Sequence, residues 1–291
     1  MEARINPLIV IVGPTASGKS ALAIELAEEF TGEIICADSR TIYKGMDIGT
    51  AKPSIEDWAR VPHWGLDLVE PGERFSAVDF KNYAVEKIAD IRARGKIPFL
   101  VGGTGLYADA VIFDYQFGQA DPELRAKLEK LSLEELHEYC KENNVKLPEN
   151  EKNRRYVIRE IERKNDPGAR LLEPQRNTII VGIATEPDVL RTRISKRSEQ
   201  LFADGVVDEA KRLGEKYGWE NEAMTGNIYR LVHEFVLGNI TEAELKHKNE
   251  IADWQLTRRQ LSWLRRNPYI KWLELDYAKK YLARKLAERV Q

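Results

Sequence analysis

Leu8-Ile9-Val10-Ile11-Val12-Gly13-Pro14-Thr15-Ala16-Ser17-Gly18-Lys19-Ser20 decides the fold. Five apolar, mostly β-branched residues read as a buried strand. The eight that follow fit G-x-x-x-x-G-K-[ST], and a helix pattern runs on from Lys19 to Phe30 with Leu22, Leu26 and Phe30 four apart. Strand, glycine loop and helix together make a phosphate-binding loop, comprising Gly13, Pro14, Thr15, Ala16, Ser17, Gly18, Lys19 and Ser20. Its glycines let backbone N–H groups turn towards phosphate oxygens, and the helix start adds its positive end. Lys19 is expected to neutralise the outer phosphate and the Ser20 hydroxyl to hold Mg²⁺.

Outward from this loop, Glu33–Ala37, His63–Val69, Ile97–Val101 and Asn177–Ala184 read as further strands, with a helix from Ala77 to Arg94 between two of them. Strands alternating with helices predict an α/β fold, a P-loop NTPase-like parallel sheet flanked by helices. From Asp121 to Lys164 charged helix-formers dominate, and after Pro187 the chain is again nearly all helical. The expected organisation is a core over 1–118, a helical insertion over 119–175, and 176–291 as the return to the core plus C-terminal helices.

Composition narrows the class. The 291 residues carry 43% hydrophobic and 32% charged residues and a net charge of −2, so no global pull towards nucleic acid exists; basic residues gather locally in Asn153–Lys164 and Lys246–Arg266. Two cysteines and four scattered histidines exclude a disulfide framework and a histidine metal cluster. No apolar run spans a bilayer and Met1–Pro7 lacks a signal peptide's core, so the expected place is the cytoplasm, with no membrane partner.

The strand Ile97–Val101 ends in Gly102-Gly103-Thr104-Gly105, without the aspartate that holds metal in an ATPase or kinase. The carboxylate appears instead as Asp38, directly after the second strand. Ligands of open α/β sheets bind outside the carboxyl ends of strands, so the P-loop, Asp38 and Thr104 should share one crevice. A carboxylate there serves as general base or metal ligand; an aspartate that merely caps the next segment is the plainer alternative.

Asp38 to Pro53, Asp-Ser-Arg-Thr-Ile-Tyr-Lys-Gly-Met-Asp-Ile-Gly-Thr-Ala-Lys-Pro, resembles the long signature of the tRNA dimethylallyltransferase (isopentenyltransferase) family. Gly13–Ser20, Leu100–Thr104, Ala120–Arg125, Val157–Arg159, Leu190–Glu209 and Arg258–Arg265 are similar to it as well. The resemblance implies transfer of the dimethylallyl group of dimethylallyl diphosphate to N6 of the adenosine immediately 3′ of the anticodon, in tRNAs reading codons that begin with U. It implies Asp38, Lys19 and Thr104 as catalytic groups, Mg²⁺ as cofactor, and Asp38, Ser39, Arg40, Thr41 and Thr104 against the tRNA. Arg125, Arg155 and Arg159 in the insertion, and Arg230, Arg259 and Gln260 beyond it, are the remaining RNA-contact candidates. The partners expected are the tRNA anticodon stem-loop and the diphosphate, met by a monomer.

In the helix Lys246–Arg266, Ile251, Trp254, Leu261 and Leu264 form the expected packing face; Lys248, Gln255, Arg259, Ser262 and Arg266 form a stripe for RNA. Trp254 and Trp263 read as core residues. The sequence departs from the family at Thr225, where another polar group is usual, at Ile228 in place of glycine, and at Tyr156 and Trp254 in place of arginines. A nucleoside or small-molecule kinase and an RNA-binding protein whose P-loop senses nucleotide are the competing readings. The missing metal aspartate counts against the first, and Asp38 with Thr104 against the second.

Overall fold

The computed structural model describes residues 6–118, 121–165 and 168–290. The elements run β1 (Leu8–Val12), α1 (Lys19–Glu29), β2 (Gly32–Cys36), α2 (Ile55–Arg60), β3 (His63–Trp64), α3 (Ala77–Ala93), β4 (Ile97–Gly102) and α4 (Gly105–Ile112). Next come α5 (Pro122–Leu128), α6 (Leu133–Glu142) and α7 (Arg154–Asn165). The chain then forms β5 (Thr178–Ile183), α8 (Pro187–Ala203), α9 (Val206–Tyr217), α10 (Asn227–Val236), α11 (Glu242–Leu264), β6 (Lys271–Leu273) and α12 (Leu275–Val290).

The sheet has six strands in the order β3-β2-β4-β1-β5-β6, and its paired strands are parallel. β1 is central because every one of its residues is buried, which requires cover on both faces. Leu22, Leu26 and Ala27 of α1 and Ala278, Leu282 and Leu286 of α12 join its core. Each such leucine contributes about 1.5–3 kcal/mol by leaving water. A second core packs Ile42, Tyr43 and Met46 against Val206, Leu213, Tyr229 and Val232.

Two expectations about strands need correction. His63–Val69 pairs in the sheet only at His63–Trp64; Val69 makes an isolated bridge to Tyr43. Gly65 and Asp67, both at positive φ, turn the chain off the edge. The near-helical C-terminal part also contains β6, three residues too few to show a period.

Phe113–Glu173 forms one compact unit, and the chain on either side of it the other. The boundary expected at 119 falls on Gln119 and Ala120, outside the described residues. The unit begins earlier, since Leu171 N–H bonds to Phe113 O at 2.8 Å and Gln116 pairs with Ala169. It has its own core of Leu128, Leu136, Cys140, Val157, Ile158 and Ile161. Among the described residues no helix is long and apolar enough to cross a membrane.

Candidate functional site

β2, β4 and β1 are neighbours, so the segments leaving their carboxyl ends lie side by side. They border a cleft of about 320 Å³ lined by Lys19, Ser20, Asp38, Thr104, Arg197 and Gln260, among others. The approach of the Asp38 and Thr104 segments is close enough to require Gly102, where a Cβ would lie 2.0 Å from Ala37 O. Thr104 N–H bonds to that same oxygen at 3.2 Å.

Helices α2, α3, α6 and α11 each open on a capping box, from Ser54, Ser76, Ser132 and Thr241 respectively. α1 differs. It opens on Gly18, at φ 90°, with no side-chain cap. Only glycine adopts that φ without strain, and its first-turn N–H groups keep no side-chain acceptor of their own. Arg193 supports the loop by donating to Ala16 O and Ser17 O at 3.3 Å. Lys19 Nζ donates to Pro14 O at 3.2 Å. Burial lowers the Lys19 pKa to about 8; nearby Asp38 opposes that shift, Arg197 adds to it, and Cys36 opposes it weakly.

Asp38 Oδ1 accepts the Arg40 N–H at 2.8 Å, leaving its second carboxylate oxygen outside that bond. Thr104 Oγ1 accepts the Ser39 N–H at 3.1 Å, so the threonine proton can be donated elsewhere. Arg40 reaches Glu222 O at 3.1 Å and Thr225 Oγ1 at 3.5 Å, giving the departure at Thr225 a place beside the cleft. Thr41 borders the cleft but is 6% exposed.

The stripe of α11 expected for RNA, Lys248, Gln255, Arg259, Ser262 and Arg266, is exposed and Leu264 of the expected packing face is buried, but that face fails at Ile251 and polar residues take its place. The buried residues of the helix are Leu245, Asn249, Asp253, Thr257 and Leu264, whereas Ile251 is 44% exposed. Trp254 lies under the Arg191 guanidinium, 4.3 Å from ring centroid, and Trp263 Nε1 donates to Asp109 at 2.8 Å. A largely polar stripe is turned inward because it borders the cleft; Asn249, Asp253 and Gln260 are in the lining. Burial raises the Asp253 pKa, while Arg197 and an Asn227 hydrogen bond pull it down. The buried side-chain polar atoms with no hydrogen-bond partner, among the described residues, are Ser17 Oγ, Arg197 Nε, Asn249 Oδ1 and Thr257 Oγ1. They fall on the P-loop, α8 and α11, and two of the residues, Arg197 and Asn249, line the cleft, where a polar ligand could satisfy them.

The RNA candidates separate. Arg259 is exposed and borders the cleft, while Arg230 is exposed on α10 outside its lining. Gln260 is not turned to solvent: its Oε1 accepts Thr15 N–H at 2.8 Å and Thr15 Oγ1–H at 3.2 Å. Within the helical unit, Arg155 is exposed, Arg159 pairs with Glu162 at 3.4 Å, and Arg125 pairs with Glu129 and with buried Glu162.

Sequence reading missed Arg193, Arg197, Asn249, Asp253 and Glu209. Spacing carried a signal for the first four, which repeat at i, i+4 on two helices. Glu209, 6% exposed, gathers the N–H groups of Asp47, Ile48 and Gly49 at 2.8–2.9 Å and the Tyr229 hydroxyl at 2.8 Å. It thereby fixes the segment leading to the cleft residues Gly49–Ala51.

Hard oxygen donors, the Ser20 hydroxyl and the Asp38 carboxylate, face the same cleft, and no cluster of three metal-binding side chains occurs among the described residues. This donor set suits Mg²⁺, which takes one or two protein oxygens and completes its shell with phosphate and water.

The family model described as IPP transferase matches residues 41–267. A tRNA dimethylallyltransferase of Roseiflexus sp. (strain RS-1) is 39% identical over 287 residues, covering 93% of each chain. One from Halalkalibacterium halodurans is 34% identical over 97% of this chain and 98% of its own. The crystal structure of a Bacillus halodurans tRNA isopentenylpyrophosphate transferase superposes with a TM-score of 0.74 at 33% identity, over 98% of both chains. A eukaryotic dimethylallyltransferase acting on tRNA shares the fold, with a TM-score of 0.77 at 23% identity, over 93% of this chain and 74% of its own. Matched nearly end to end by these relatives, the chain belongs to the IPP transferase family of tRNA dimethylallyltransferases.

Proposed function

We propose that this enzyme transfers the dimethylallyl group of dimethylallyl diphosphate to N6 of the adenosine immediately 3′ of the anticodon, in tRNAs reading codons that begin with U. The C–O bond to diphosphate breaks, a C–N bond forms, and the amine loses one proton. An exocyclic adenine amine is a weak nucleophile because its lone pair is delocalised into the ring. The reaction therefore needs a stabilised leaving group, a proton acceptor and a fixed acceptor base.

The observation that carries this reading is the meeting of the P-loop, Asp38 and Thr104 at one cleft. Lys19 and the uncapped N–H groups of α1 supply positive charge for the departing diphosphate. Arg197, beside Lys19, adds to it. Mg²⁺, held by Ser20, would neutralise further diphosphate charge when bound. Asp38 accepts the amine proton, a role worth about 10²–10⁴-fold. Thr104 donates its free proton to the acceptor base and so fixes it opposite Asp38. Ser39, Arg40, Thr41 and Arg259 border the path by which a flipped nucleotide reaches them. Arg155, Arg159 and Arg230 offer charge to the phosphate backbone. The enzyme acts as a cytoplasmic monomer on the anticodon stem-loop.

The test incubates the protein with Mg²⁺, dimethylallyl diphosphate and an anticodon stem-loop carrying adenosines 3′ of the anticodon. Nucleoside digestion and mass analysis then seek N6-dimethylallyladenosine. We expect product from the wild type, reduced at least 100-fold in Asp38→Ala and largely lost in Lys19→Ala. No product from any full-length tRNA, with phosphoryl transfer from ATP to a small hydroxyl substrate instead, overturns the proposal.

A further inference from the structure

We infer that Gln260 is a positioning residue of the diphosphate site, one that sets the P-loop through Thr15 and contributes nothing direct to RNA binding. The inference rests on the P-loop being the diphosphate cradle and assigns a side chain from a distant helix to its control. Gln260 lies 245 residues from Thr15 in sequence, yet its Oε1 takes both the Thr15 N–H and the Thr15 hydroxyl. These are its recorded hydrogen bonds, and both point into the loop.

The other side of the carboxamide is fixed by contact. A Cβ placed on Gly103 would lie 2.4 Å from Gln260 Nε2 and 3.1 Å from its Cδ. The amide thus lies against the Gly103 backbone on one side and holds Thr15 on the other. It is a spacer between the loop after β1 and the loop after β4, which carries Thr104. One turn along α11, Trp263 anchors the same helix to α4 through Asp109, and Asn267 donates to that carboxylate at 3.1 Å. The helix carrying Gln260 is therefore rigidly registered to the Thr104 segment, and Gln260 transmits that register to the P-loop.

Thr15 sits at the third position of the loop, ahead of Ala16, which has φ 64°, and Gly18, which has φ 90°. These two left-handed turns aim the later amides of the loop. Releasing the Thr15 end lets the turns relax, so the amides no longer converge on one anion. The arginine next to it, Arg259, is exposed and free of this duty, which separates the two neighbours in the same motif.

The test uses Gln260→Ala, Gly103→Ala and their double variant in the full chain. The φ of Gly103 is not in the left-handed region, and its new methyl meets first the end of the flexible Gln260 side chain, with Gly13 O next at 3.3 Å, so Gly103→Ala asks little of the backbone and displaces the Gln260 amide. Binding of inorganic diphosphate with Mg²⁺ is measured by calorimetry, and binding of a tRNA anticodon stem-loop without donor by fluorescence anisotropy. We expect each single variant to weaken diphosphate binding by roughly tenfold, the loss of one net hydrogen bond and its positioning. The double variant should be no weaker than either alone, since both remove the same contact. The tRNA dissociation constant should stay within about twofold in all three, while the Michaelis constant for dimethylallyl diphosphate rises in parallel with the diphosphate constant. Weaker tRNA binding with unchanged diphosphate binding, or additive losses in the double variant, overturns the inference. Should the wild type make no prenylated product while the variants still lose diphosphate affinity together, the proposed transfer fails and the positioning role stands. A wild type that binds no diphosphate overturns both.

Discussion

The cleft and the helical unit Phe113–Glu173 treat polar groups in opposite ways. Around the cleft, Ser17, Arg197, Asn249 and Thr257 each bury a polar atom that no protein group satisfies. Among the described residues of the helical unit no such atom occurs, and its buried Glu162 is closed by Arg125 and Arg159. An unsatisfied buried atom costs about 1–3 kcal/mol; Arg197 and Asn249 carry that cost in the lining of the cleft, while the helical unit closes its charges on one another. Partnerless groups mark chemistry here, and arginine content alone does not mark RNA contact.

Four changes would sharpen or break that contrast. The largest effect belongs to Glu209, whose carboxylate collects three backbone N–H groups and one hydroxyl. Glu209→Ala leaves these donors buried and should cost about 4 kcal/mol of stability, read by denaturant unfolding. A variant as stable as wild type would mean the 47–49 segment holds itself. Arg125→Ala should cost about 2 kcal/mol by leaving Glu162 with Arg159 alone, discounted for the partial exposure of the arginine. Loss of tRNA affinity at an unchanged melting temperature would reverse the comparison, making Arg125 an RNA contact first.

Lys19 comes third. With its free pKa lowered to about 8, the ammonium proposed to meet the diphosphate is present below pH 8 and lost above it. Dimethylallyl diphosphate affinity should be flat up to pH 8 on account of this group, then fall by up to about tenfold per pH unit. Affinity that stays level to pH 10 would show the lysine charged throughout. Smallest is Thr257→Val, which exchanges an unsatisfied hydroxyl for a methyl and should raise stability by about 1 kcal/mol. If it lowers stability instead, the hydroxyl has a partner such as buried water.

Much of the core was legible because its decisive positions are glycines and short motifs. Gly13–Ser20 and the carboxyl ends of three strands were enough to bring Lys19, Asp38 and Thr104 to one crevice. The buried side of α11 was only partly legible. Hydrophobic periodicity assumes that buried means apolar, and a helix that borders a polar cleft breaks the assumption, so Ile251 was expected inside while the inward Asn249, Asp253 and Thr257 went unnoticed. The bond from Gln260 to Thr15 was not legible either: the sequence shows a polar residue after two arginines and says nothing of the loop it meets. The three-residue β6 and the short pairing of β3 depend on their partner strands β5 and β2, which local pattern does not reveal.

The neck of the helical unit has a consequence for how such chains can vary. Phe113 and Leu171 are hydrogen-bonded, and Gln116 pairs with Ala169, so a long excursion leaves and returns through one point. Topologically the excursion is a closed loop, and the entropy of closing it grows only with the logarithm of its length. Helices can be added to it or removed at the cost of a fraction of a kcal/mol per doubling, without moving a residue of the sheet. The helical unit can therefore be lengthened or shortened by insertion and deletion while the scaffold that carries the cleft is inherited unchanged.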